Sequence, residues 1–431
     1  MKEIRIGILG FGTVGAGVVD CLNKNGGLIA QRSGVKPVIY KVADLDLETD
    51  RGVVLPDGVL TRDAGAVISD PKTDVIVELI GGTTVAKDFV IQALKAGKPV
   101  VTANKALLAE HGDEILATAE KYSGDVFYEA SVAGGIPIIK AMREGLVGNR
   151  IERAVGILNG TCNYILTRME NEGIAFDTIL AEAQAAGYAE AEPSLDIDGI
   201  DTAHKASIMA SLAYGEWFGM EPLFVEGIRG LALQDIEYAA DLGYRIKLLA
   251  VMCQQEGAVQ IRVHPALVAK DSMIGAVSGV FNAVWVEGDT VGDTMYYGRG
   301  AGREATASAV VGDIVDVALN IKFGSGQRVP AFRAHPGHSG VMPMDDVVTR
   351  YYLRLTVKDH PGVLARVAGI LGESNISIAS VTQHEVCEGP VPLVILTHDA
   401  REKNLQDALT SIAALDDVME APVMLRIEDL D

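Results

Sequence analysis

The sequence predicts an α/β protein whose N-terminal third forms a doubly wound parallel sheet. Short apolar runs alternate there with helical patterns, and this alternation is typical of a parallel sheet with helices on both faces. The predicted strands are 4–10, 38–44, 74–81, 99–104 and 125–131, and the predicted helices are 14–25, 86–96 and 107–122. We therefore expect a first domain over residues 1–130.

Two further domains are expected to follow. Between residues 131 and 323, helical stretches mix with strand-like runs, which predicts an α+β catalytic and dimerisation domain. Its predicted helices are 136–146, 161–171, 176–186 and 202–219. A glycine-rich turn precedes a long helix over 302–322, which we expect to return to the first domain. Residues 324–349, rich in Gly, Pro and His, are typical of a linker. The segment 350–427 has the order β-α-β-β-α-β of a ferredoxin-like module.

The composition excludes several kinds of partner. The 431 residues carry a net charge of −21, so nucleic acid and anionic lipid are unfavourable ligands. No apolar run reaches the roughly 18 residues that a membrane-spanning helix requires. Cys21, Cys162, Cys253 and Cys387 form no C-x-x-C pair, which favours a reducing compartment over a disulfide framework. We expect a cytoplasmic protein that binds neither nucleic acid nor membrane.

A glycine motif directly follows the first predicted strand. The stretch GILGFGTVGAGV supplies a G-x-G-x-x-G pattern at the start of a helix. Its first glycine permits a tight turn, its second lets the backbone approach a pyrophosphate, and its third allows close packing of helix on strand. The phosphates would bind backbone N–H groups of the first helical turn. The pattern predicts a Rossmann-type dinucleotide site that comprises Gly10, Phe11, Gly12, Thr13, Val14 and Gly15.

The nucleotide preference depends on the end of the second predicted strand. Asp44 stands where an acid usually binds the ribose 2′-hydroxyl and disfavours a 2′-phosphate, and Asp46 is close by. This favours NAD over NADP. Arg51 is available for a 2′-phosphate, and the acids also suit a solvated loop, so NADP stays open.

Three charged residues are candidates for catalysis. Lys105 follows a predicted strand, and ligands of open α/β sheets bind beyond the carboxyl ends of the strands. Asp201 and Lys205 are four residues apart at the start of a helix and share one face. An exposed ion pair has the same spacing, but the apolar SIMASLAY that follows predicts a buried helix. A lysine held by an acid at a buried helix start can donate a proton.

A dense acidic cluster precedes Lys205. It comprises Glu190, Glu192, Asp196, Asp198 and Asp201. The cluster lacks the His and Cys partners of a zinc site and the spacing of a calcium-binding loop. A solvated loop is the plain alternative, but the ammonium group of a small molecule such as an amino acid fits the charge better.

Six stretches of the sequence resemble homoserine dehydrogenases that carry a C-terminal ACT domain. They are GFGTVGAGV, TANKALLA, YEASVAGGIPII, NGTCNYIL, YAEAEPSLDIDGIDTAHKASI and GRGAGREATASAVVGD. The resemblance covers essentially the whole chain. It implies an NAD(P)-dependent oxidoreductase that interconverts L-homoserine and L-aspartate 4-semialdehyde in the biosynthesis of threonine, methionine and isoleucine.

The resemblance also implies a role for each candidate residue. Lys205 would donate the proton to the aldehyde oxygen as the hydride arrives, and Asp201 would orient it. Lys105 would lie near both cofactor and substrate, while Glu190 and Asp196 would bind the substrate's amino group. Because the cofactor carries the chemistry, no covalent nucleophile is needed.

The stretch YEASVAGGIP resembles the monovalent cation site of the same family. Taken alone, its AGG is typical of a turn. The resemblance implies Na⁺ bound by the Glu129 carboxylate and by the main-chain carbonyls of Val132, Gly134 and Ile136. In GRGAG, Gly302 and its neighbours would contact the nicotinamide side of the cofactor.

Three rival functions stay in view. Cys162 stands where the family more often has a hydroxyl or small residue, and a thiol there suggests a semialdehyde dehydrogenase with a thiohemiacetal intermediate. No histidine stands at a recognisable spacing to act as its base, so a buried structural cysteine is favoured. Another Rossmann enzyme with a different amino-acid-like substrate is the second rival. A non-catalytic amino-acid sensor is the third, disfavoured because Lys105, Asp201 and Lys205 are all present.

The C-terminal stretch VKDHPGVLARVAGILGESNISIASV resembles the ACT signature. Asp359, Gly362 and Asn375 mark the loop and strand start where such domains hold an amino acid at a subunit interface. The resemblance implies inhibition by L-threonine, and a module that only mediates pairing is the alternative. We expect a homodimer or homotetramer.

Overall fold

The computed structural model describes residues 1–187, 189–383 and 389–430. Tyr188 and Cys387 lie outside the described residues. The strands are β1 (Lys2–Leu9), β2 (Val35–Ala43), β3 (Leu60–Thr61), β4 (Val75–Glu78), β5 (Val100–Thr102), β6 (Val126–Phe127), β7 (Ile151–Ile157), β8 (Phe224–Val225), β9 (Tyr244–Gln255), β10 (Ala258–Ala269), β11 (Phe281–Gly288), β12 (Gly292–Arg299), β13 (Val348–Val357), β14 (Ile378–Gln383), β15 (Val391–Thr397), β16 (Ala400–Arg401) and β17 (Val423–Ile427). The helices are α1 (Thr13–Ser33), α2 (Ala64–Ser69), α3 (Thr84–Lys95), α4 (Lys105–Lys121), α5 (Ile138–Lys140), α6 (Gly160–Glu172), α7 (Phe176–Ala185), α8 (Ser194–Ile197), α9 (Ile200–Tyr214), α10 (Leu233–Asp241), α11 (Arg303–Phe323), α12 (Val363–Glu373) and α13 (Glu402–Ala413).

The chain forms two compact units. The first unit comprises Met1–Gly160, Asp201–Leu223 and Val280–His338, and the second comprises Thr161–Ile200, Phe224–Gly279 and Ser339–Asp431. In the part of the chain that the structure describes, no helix is both long and apolar enough to cross a membrane.

A parallel sheet forms the centre of the first unit. Its strand order is β3-β2-β1-β4-β5-β6, and every pair in it is parallel. Strands β4 and β5 are buried at every residue, because helices cover both faces of the sheet. The predicted doubly wound parallel sheet is confirmed. In the same unit β11 and β12 form a hairpin, and β7 pairs with β11 in antiparallel orientation.

Two predicted helices have different ends in the structure. The first was expected to end at residue 25, but α1 continues to Ser33. Gly26 and Gly27 face open space, so these weak helix formers disturb no packing, and Gly34 in a left-handed conformation (φ 72°) ends the helix. The helix expected over 202–219 ends at Tyr214, because Gly215 turns the chain at φ 74° and its carbonyl accepts a hydrogen bond from His335 N at 2.9 Å.

The helix expected over 136–146 is short and irregular. Only Ile138–Lys140 is α-helical, and a π-turn over Ala141–Gly145 follows. The Glu129 carboxylate accepts the N–H groups of Ile139 at 2.9 Å and Lys140 at 2.7 Å, which fixes the start of this helix. Such π-turns are rare and occur mostly at functional sites.

The second unit carries the ferredoxin-like module, as predicted. Its sheet has the order β17-β13-β15-β14, with α12 and α13 packed on it. Strand β17 also pairs in parallel with β10, so the module continues the sheet that β9 and β10 begin. Arg354 of β13 donates to the buried Asp235 of α10 at 2.6 Å, which joins the two parts through a buried ion pair.

Candidate cofactor and catalytic site

The glycine loop between β1 and α1 leaves space for a phosphate. Gly10 has φ 99°, and a Cβ there would lie 2.5 Å from the carbonyl oxygen of Leu79. A Cβ on Gly15 would overlap the carbonyl oxygen of Gly10. A Cβ on Gly12 would meet nothing within 4 Å, although Gly12 caps α1. Packing therefore requires the first and third glycines, and the open space before the helix N-terminus suits a pyrophosphate.

The residues expected to set the nucleotide preference lie together beside this loop. Asp44 Oδ2 accepts the Phe11 backbone N–H at 2.5 Å. Arg51 lies 3.7 Å from Asp44 and 3.2 Å from Asp46, with its guanidinium 5.3 Å from the centre of the Phe11 ring. The acid that favours NAD and the arginine that suits a 2′-phosphate are therefore neighbours, and the preference for NAD stays a prediction.

The two predicted catalytic lysines, Lys105 and Lys205, both contact the carboxylate of Asp201. Lys205 Nζ lies 2.6 Å from Asp201 Oδ2, and Lys105 Nζ lies 3.2 Å from Asp201 Oδ1. Lys205 also donates to the Leu158 carbonyl at 2.6 Å, and Asn159 Nδ2 donates to Asp201 at 2.8 Å. Asp201 and Lys205 are buried on α9, whereas 39% of the Lys105 side chain is exposed. The arrangement holds Lys205 rigidly and leaves Lys105 open to a ligand.

The electrostatics keep Asp201 ionised. Burial alone raises the pKa of Asp201, but the charges of Lys205 and Lys105 outweigh it and hold this pKa well below its usual range. Burial lowers the pKa of the neighbouring His204, which favours its neutral ring. Two ammonium groups thus face one carboxylate, and the site carries an excess positive charge that could stabilise a developing alkoxide.

Glu78 is a buried acid at this site that the sequence interpretation missed. It ends β4, its Oε2 accepts the Thr102 hydroxyl at 2.6 Å, and its Oε1 accepts Ile80 N at 2.9 Å. Thr102 Oγ1 in turn accepts Asn104 N at 3.0 Å, and Asn104 caps α4, whose first residue is Lys105. Burial raises the pKa of Glu78. The sequence does indicate this residue, because an acid inside the apolar run VIVELI, at the carboxyl end of a parallel strand, is unusual.

Gly302 begins a second helix N-terminus in the first unit. It caps α11 with φ 117°, and a Cβ there would meet nothing within 4 Å. Helix α11 packs on α1, where a Cβ on Gly17 would lie 2.8 Å from the Arg303 carbonyl oxygen. The loop at Gly135 donates its N–H to the Arg299 carbonyl at 3.0 Å, which ties the predicted cation segment to the turn before α11.

The oxygen atoms around Glu129 fit a hard cation. Both carboxylate oxygens accept one backbone N–H, which leaves further lone pairs, and Glu129 N donates to the buried Asp313 at 2.9 Å. Among the described residues, no hydrogen bond reaches the carbonyls of Val132 and Gly134, whereas the Ile136 carbonyl accepts Ile138 N at 2.8 Å. Burial raises the pKa of Glu129 to about 7. The buried carboxyl groups of Glu129 and Asp313, together with the carbonyls of Val132 and Gly134, suit a monovalent ion that is bound by oxygen atoms.

Asp201, Asp198 and Glu192 of the acidic cluster each have a local partner. Asp201 binds the lysines, Asp198 forms a two-point ion pair with Arg229 at 2.8 and 3.0 Å, and Glu192 accepts Ser194 N at 3.3 Å. The two acids expected to bind an ammonium group lie in the second unit. Glu190 is exposed, and Asp196 lies on α8.

Cys162 lies inside the second unit. Its side chain is buried in α6, and its thiol lies 3.2 Å from the Asp196 carbonyl oxygen. A nucleophile must reach its substrate, so this burial favours the structural role over attack on an aldehyde.

The three residues predicted to bind an effector are not brought together within one chain. Asp359 and Gly362 line a cavity of about 350 Å³ at the start of α12. Asn375, with φ 59°, follows the other end of α12. A helix of 11 residues is about 16 Å long, so Asn375 lies beyond one end of α12, and Asp359 and Gly362 lie at the other end.

Comparison with known proteins identifies all three parts of the chain. Residues 10–129 match the model of the homoserine dehydrogenase NAD-binding domain, residues 137–315 match homoserine dehydrogenase, and residues 351–417 match the ACT domain.

Similarity also extends over complete relatives. A homoserine dehydrogenase of Neisseria gonorrhoeae is 45% identical over 100% of both chains. The crystal structure of a homoserine dehydrogenase from Thiobacillus denitrificans is 46% identical, covers 100% of this chain and 99% of its own, and has a TM-score of 0.95. A hyperthermophilic archaeal homoserine dehydrogenase in complex with NADPH is 28% identical over 74% of this chain and 98% of its own, with a TM-score of 0.62. The chain belongs to the homoserine dehydrogenase family of NAD(P)-dependent oxidoreductases.

Proposed function

We propose that this protein interconverts L-aspartate 4-semialdehyde and L-homoserine with NAD(P)H. The observation that carries the proposal is the group of Lys105, Asp201 and Lys205, joined by contacts of 2.6 and 3.2 Å in the unit that also holds the glycine loop. A carbonyl reduction needs a held proton donor and a stabiliser for the developing negative charge on oxygen, and this group offers both.

The residues divide the work of the reduction. When bound, NAD(P)H supplies the hydride. Lys205 gives one proton to the carbonyl oxygen and regains it from solvent, while Asp201 keeps its Nζ in place. Lys105 adds a second positive charge beside the oxygen. Glu190 and Asp196 stay the proposed partners of the substrate's amino group, on the resemblance alone.

The decisive assay compares cofactors side by side. Homoserine-dependent reduction of NAD⁺ and of NADP⁺ is followed by absorbance at 340 nm, with L-serine as the control substrate. Turnover of homoserine alone supports the proposal, and the larger kcat/KM names the cofactor, for which we expect NAD. No turnover with either cofactor would contradict it.

We further propose that Glu129, with the carbonyls of Val132, Gly134 and Ile136, binds Na⁺. The support is the burial of Glu129 and the carbonyls of Val132 and Gly134, which accept no hydrogen bond from the residues that the structure describes. Replacing Na⁺ by choline at constant ionic strength should lower the melting temperature of the wild type, and Glu129→Gln should remove this dependence. The matched control is Glu144→Gln on the adjacent π-turn. A wild type that melts at the same temperature in both salts would contradict the site.

The ACT module is proposed to bind L-threonine and to inhibit the enzyme. Because Asp359 precedes α12 and Asn375 follows it, and this helix is about 16 Å long, a site that uses both needs a second copy of the chain, which fits the proposed homodimer or homotetramer.

The module should be tested by point substitution in the full chain, because β17 pairs with β10 and its removal would expose that strand. Asp359→Ala and Asn375→Ala should each abolish inhibition by L-threonine without changing kcat. The control is Asp399→Ala, an exposed acid of the same module. A wild type indifferent to L-threonine would contradict the regulatory role but leave the catalytic proposal intact.

A further inference from the structure

An open cavity of about 560 Å³ lies in the first unit, away from the catalytic lysines. It is lined by the π-turn after α5, by the last turn of α9 and by the segment 328–335. Leu212 and Ala213 form the α9 wall, and they follow Lys205 by at least seven residues, or about 10 Å along the helix. A molecule in this cavity would therefore occupy a separate place from a substrate at Lys205.

Three arginines, Arg143, Arg328 and Arg333, line this cavity. Arg328 and Arg333 are exposed, and Arg143 is half-buried on the π-turn. In the part of the chain that the structure describes, none of the three has a carboxylate oxygen within 4 Å, and the buried Nε of Arg143 has no acceptor. Glu144 also lines the cavity, so its walls carry three arginines and one carboxylate, and the charge of Arg143 also acts on the buried Glu129 and Asp313. In a chain with a net charge of −21, this local excess of positive charge favours the binding of an anion.

The walls that carry the arginines are fixed in place. The Arg143 guanidinium lies 5.4 Å from the Phe127 ring centre and 5.9 Å from that of Tyr128. The Tyr128 hydroxyl donates to the Ala331 carbonyl at 2.6 Å, which anchors the segment between Arg328 and Arg333. Next to Ala331, Phe332 packs edge-on against Trp217 at 5.3 Å. A site that is already shaped loses little entropy when it binds.

We propose that this cavity binds a small organic monocarboxylate with an apolar body. The guanidinium groups would hold the carboxylate through charge-assisted hydrogen bonds, for which arginine is well shaped. Leu146, Ile151 and Phe332 would cover the apolar part. A volume of this size is typical of small-molecule sites. Inorganic phosphate offers the charge without the apolar body, so it serves as the comparison.

The test is isothermal titration calorimetry on the full chain with three probes. They are 4-methylpentanoate, inorganic phosphate and the uncharged 4-methylpentan-1-ol. The wild type should bind 4-methylpentanoate saturably, phosphate at least about tenfold more weakly and the alcohol not at all. The Arg328→Gln/Arg333→Gln variant should weaken 4-methylpentanoate at least about tenfold. Arg62→Gln, which changes an exposed arginine of the same unit, should bind as the wild type does.

Several outcomes would overturn the proposal. They are the absence of saturable binding below roughly 10 mM, unchanged binding by the double variant, equal binding of phosphate, and displacement of 4-methylpentanoate by saturating L-homoserine or NADPH. Both arginines lie in an irregular segment outside the helices and strands, so the double variant should fold. Its melting temperature is measured on the same sample, and the single variant Arg333→Gln replaces it if that temperature falls.

Discussion

Replacing Lys205 by methionine should stop catalysis while sparing the cofactor site. The substitution keeps the length of the side chain and removes the ammonium group that lies 2.6 Å from both Asp201 and the Leu158 carbonyl. A lost proton donor lowers turnover by roughly 10²–10⁴-fold, or about 3–5 kcal/mol in activation free energy. Folding should suffer less: the Leu158 carbonyl loses its donor, but Asp201 keeps Lys105 and Asn159, so we expect the free energy of unfolding to fall by about 2 kcal/mol.

Rapid-mixing measurement of NADPH oxidation by aspartate 4-semialdehyde gives kcat for this variant, and NADPH fluorescence gives the cofactor Kd. Lys87→Met is the control, since Lys87 also forms an ion pair in the first unit, with Glu114 at 3.3 Å. A kcat within about tenfold of the wild type would refute Lys205 as the proton donor. A cofactor Kd that weakens in step with kcat would show a structural role instead.

Three other substitutions test the positioning of Lys105, the nucleotide preference and the pKa of a buried lysine. Glu78→Gln should weaken NADPH binding and lower kcat by roughly tenfold each, because the side chain loses one of its two acceptor oxygens at the loops that position Lys105. The control Asp74→Asn, at the opposite end of the same strand, should change neither quantity. Equal effects of the two substitutions would contradict the positioning role of Glu78. Arg51→Ala should raise the KM for NADP⁺ at least about tenfold while that for NAD⁺ stays constant, and parallel changes would show that Arg51 only shapes the loop. Burial lowers the pKa of Lys247 to about 8, whereas the unfolded chain keeps the ordinary lysine value near 10.4. Between pH 8 and pH 10.4 the unfolded state therefore binds one proton more at Lys247 than the folded state does, so the folded state gains stability as the pH rises. Relative to Lys247→Met, the free energy of unfolding of the wild type should increase by about 1.4 kcal/mol per pH unit from pH 8 to 10. Urea unfolding at several pH values measures it, and a constant difference would refute the shift.

Local sequence patterns predicted those parts of the site whose residues all lie within one short segment of the chain. The glycine loop lies within six residues and the Asp201–Lys205 pair within five, so the spacing alone indicates their geometry. The same holds for the order of strands and helices along the ferredoxin-like module, since each element has its own local pattern.

Contacts between distant segments escaped the sequence interpretation. Asn159 reaches Asp201 across 42 residues, and Glu78 reaches Thr102 across 24. No periodicity records such pairs, because they form only when the sheet brings separate loops to one edge. The π-turn after α5 escaped for a related reason: apolar spacing predicts a regular helix, whereas the Glu129 carboxylate fixes where that helix begins.

The charge balance of the catalytic group explains why two lysines share one acid. A lone lysine beside one carboxylate would form a neutral pair with little field at a substrate oxygen. With Lys105 and Lys205 both on Asp201, one positive charge is left over, and the first turn of α9 adds the positive end of its helix dipole. The carboxylate holds both ammonium groups in place before the reaction begins, so no reorganisation is needed as charge moves onto oxygen. Asp201→Asn would keep the shape but leave two like charges close together in a largely buried site, which is a stronger perturbation of both folding and catalysis than loss of Lys105 alone.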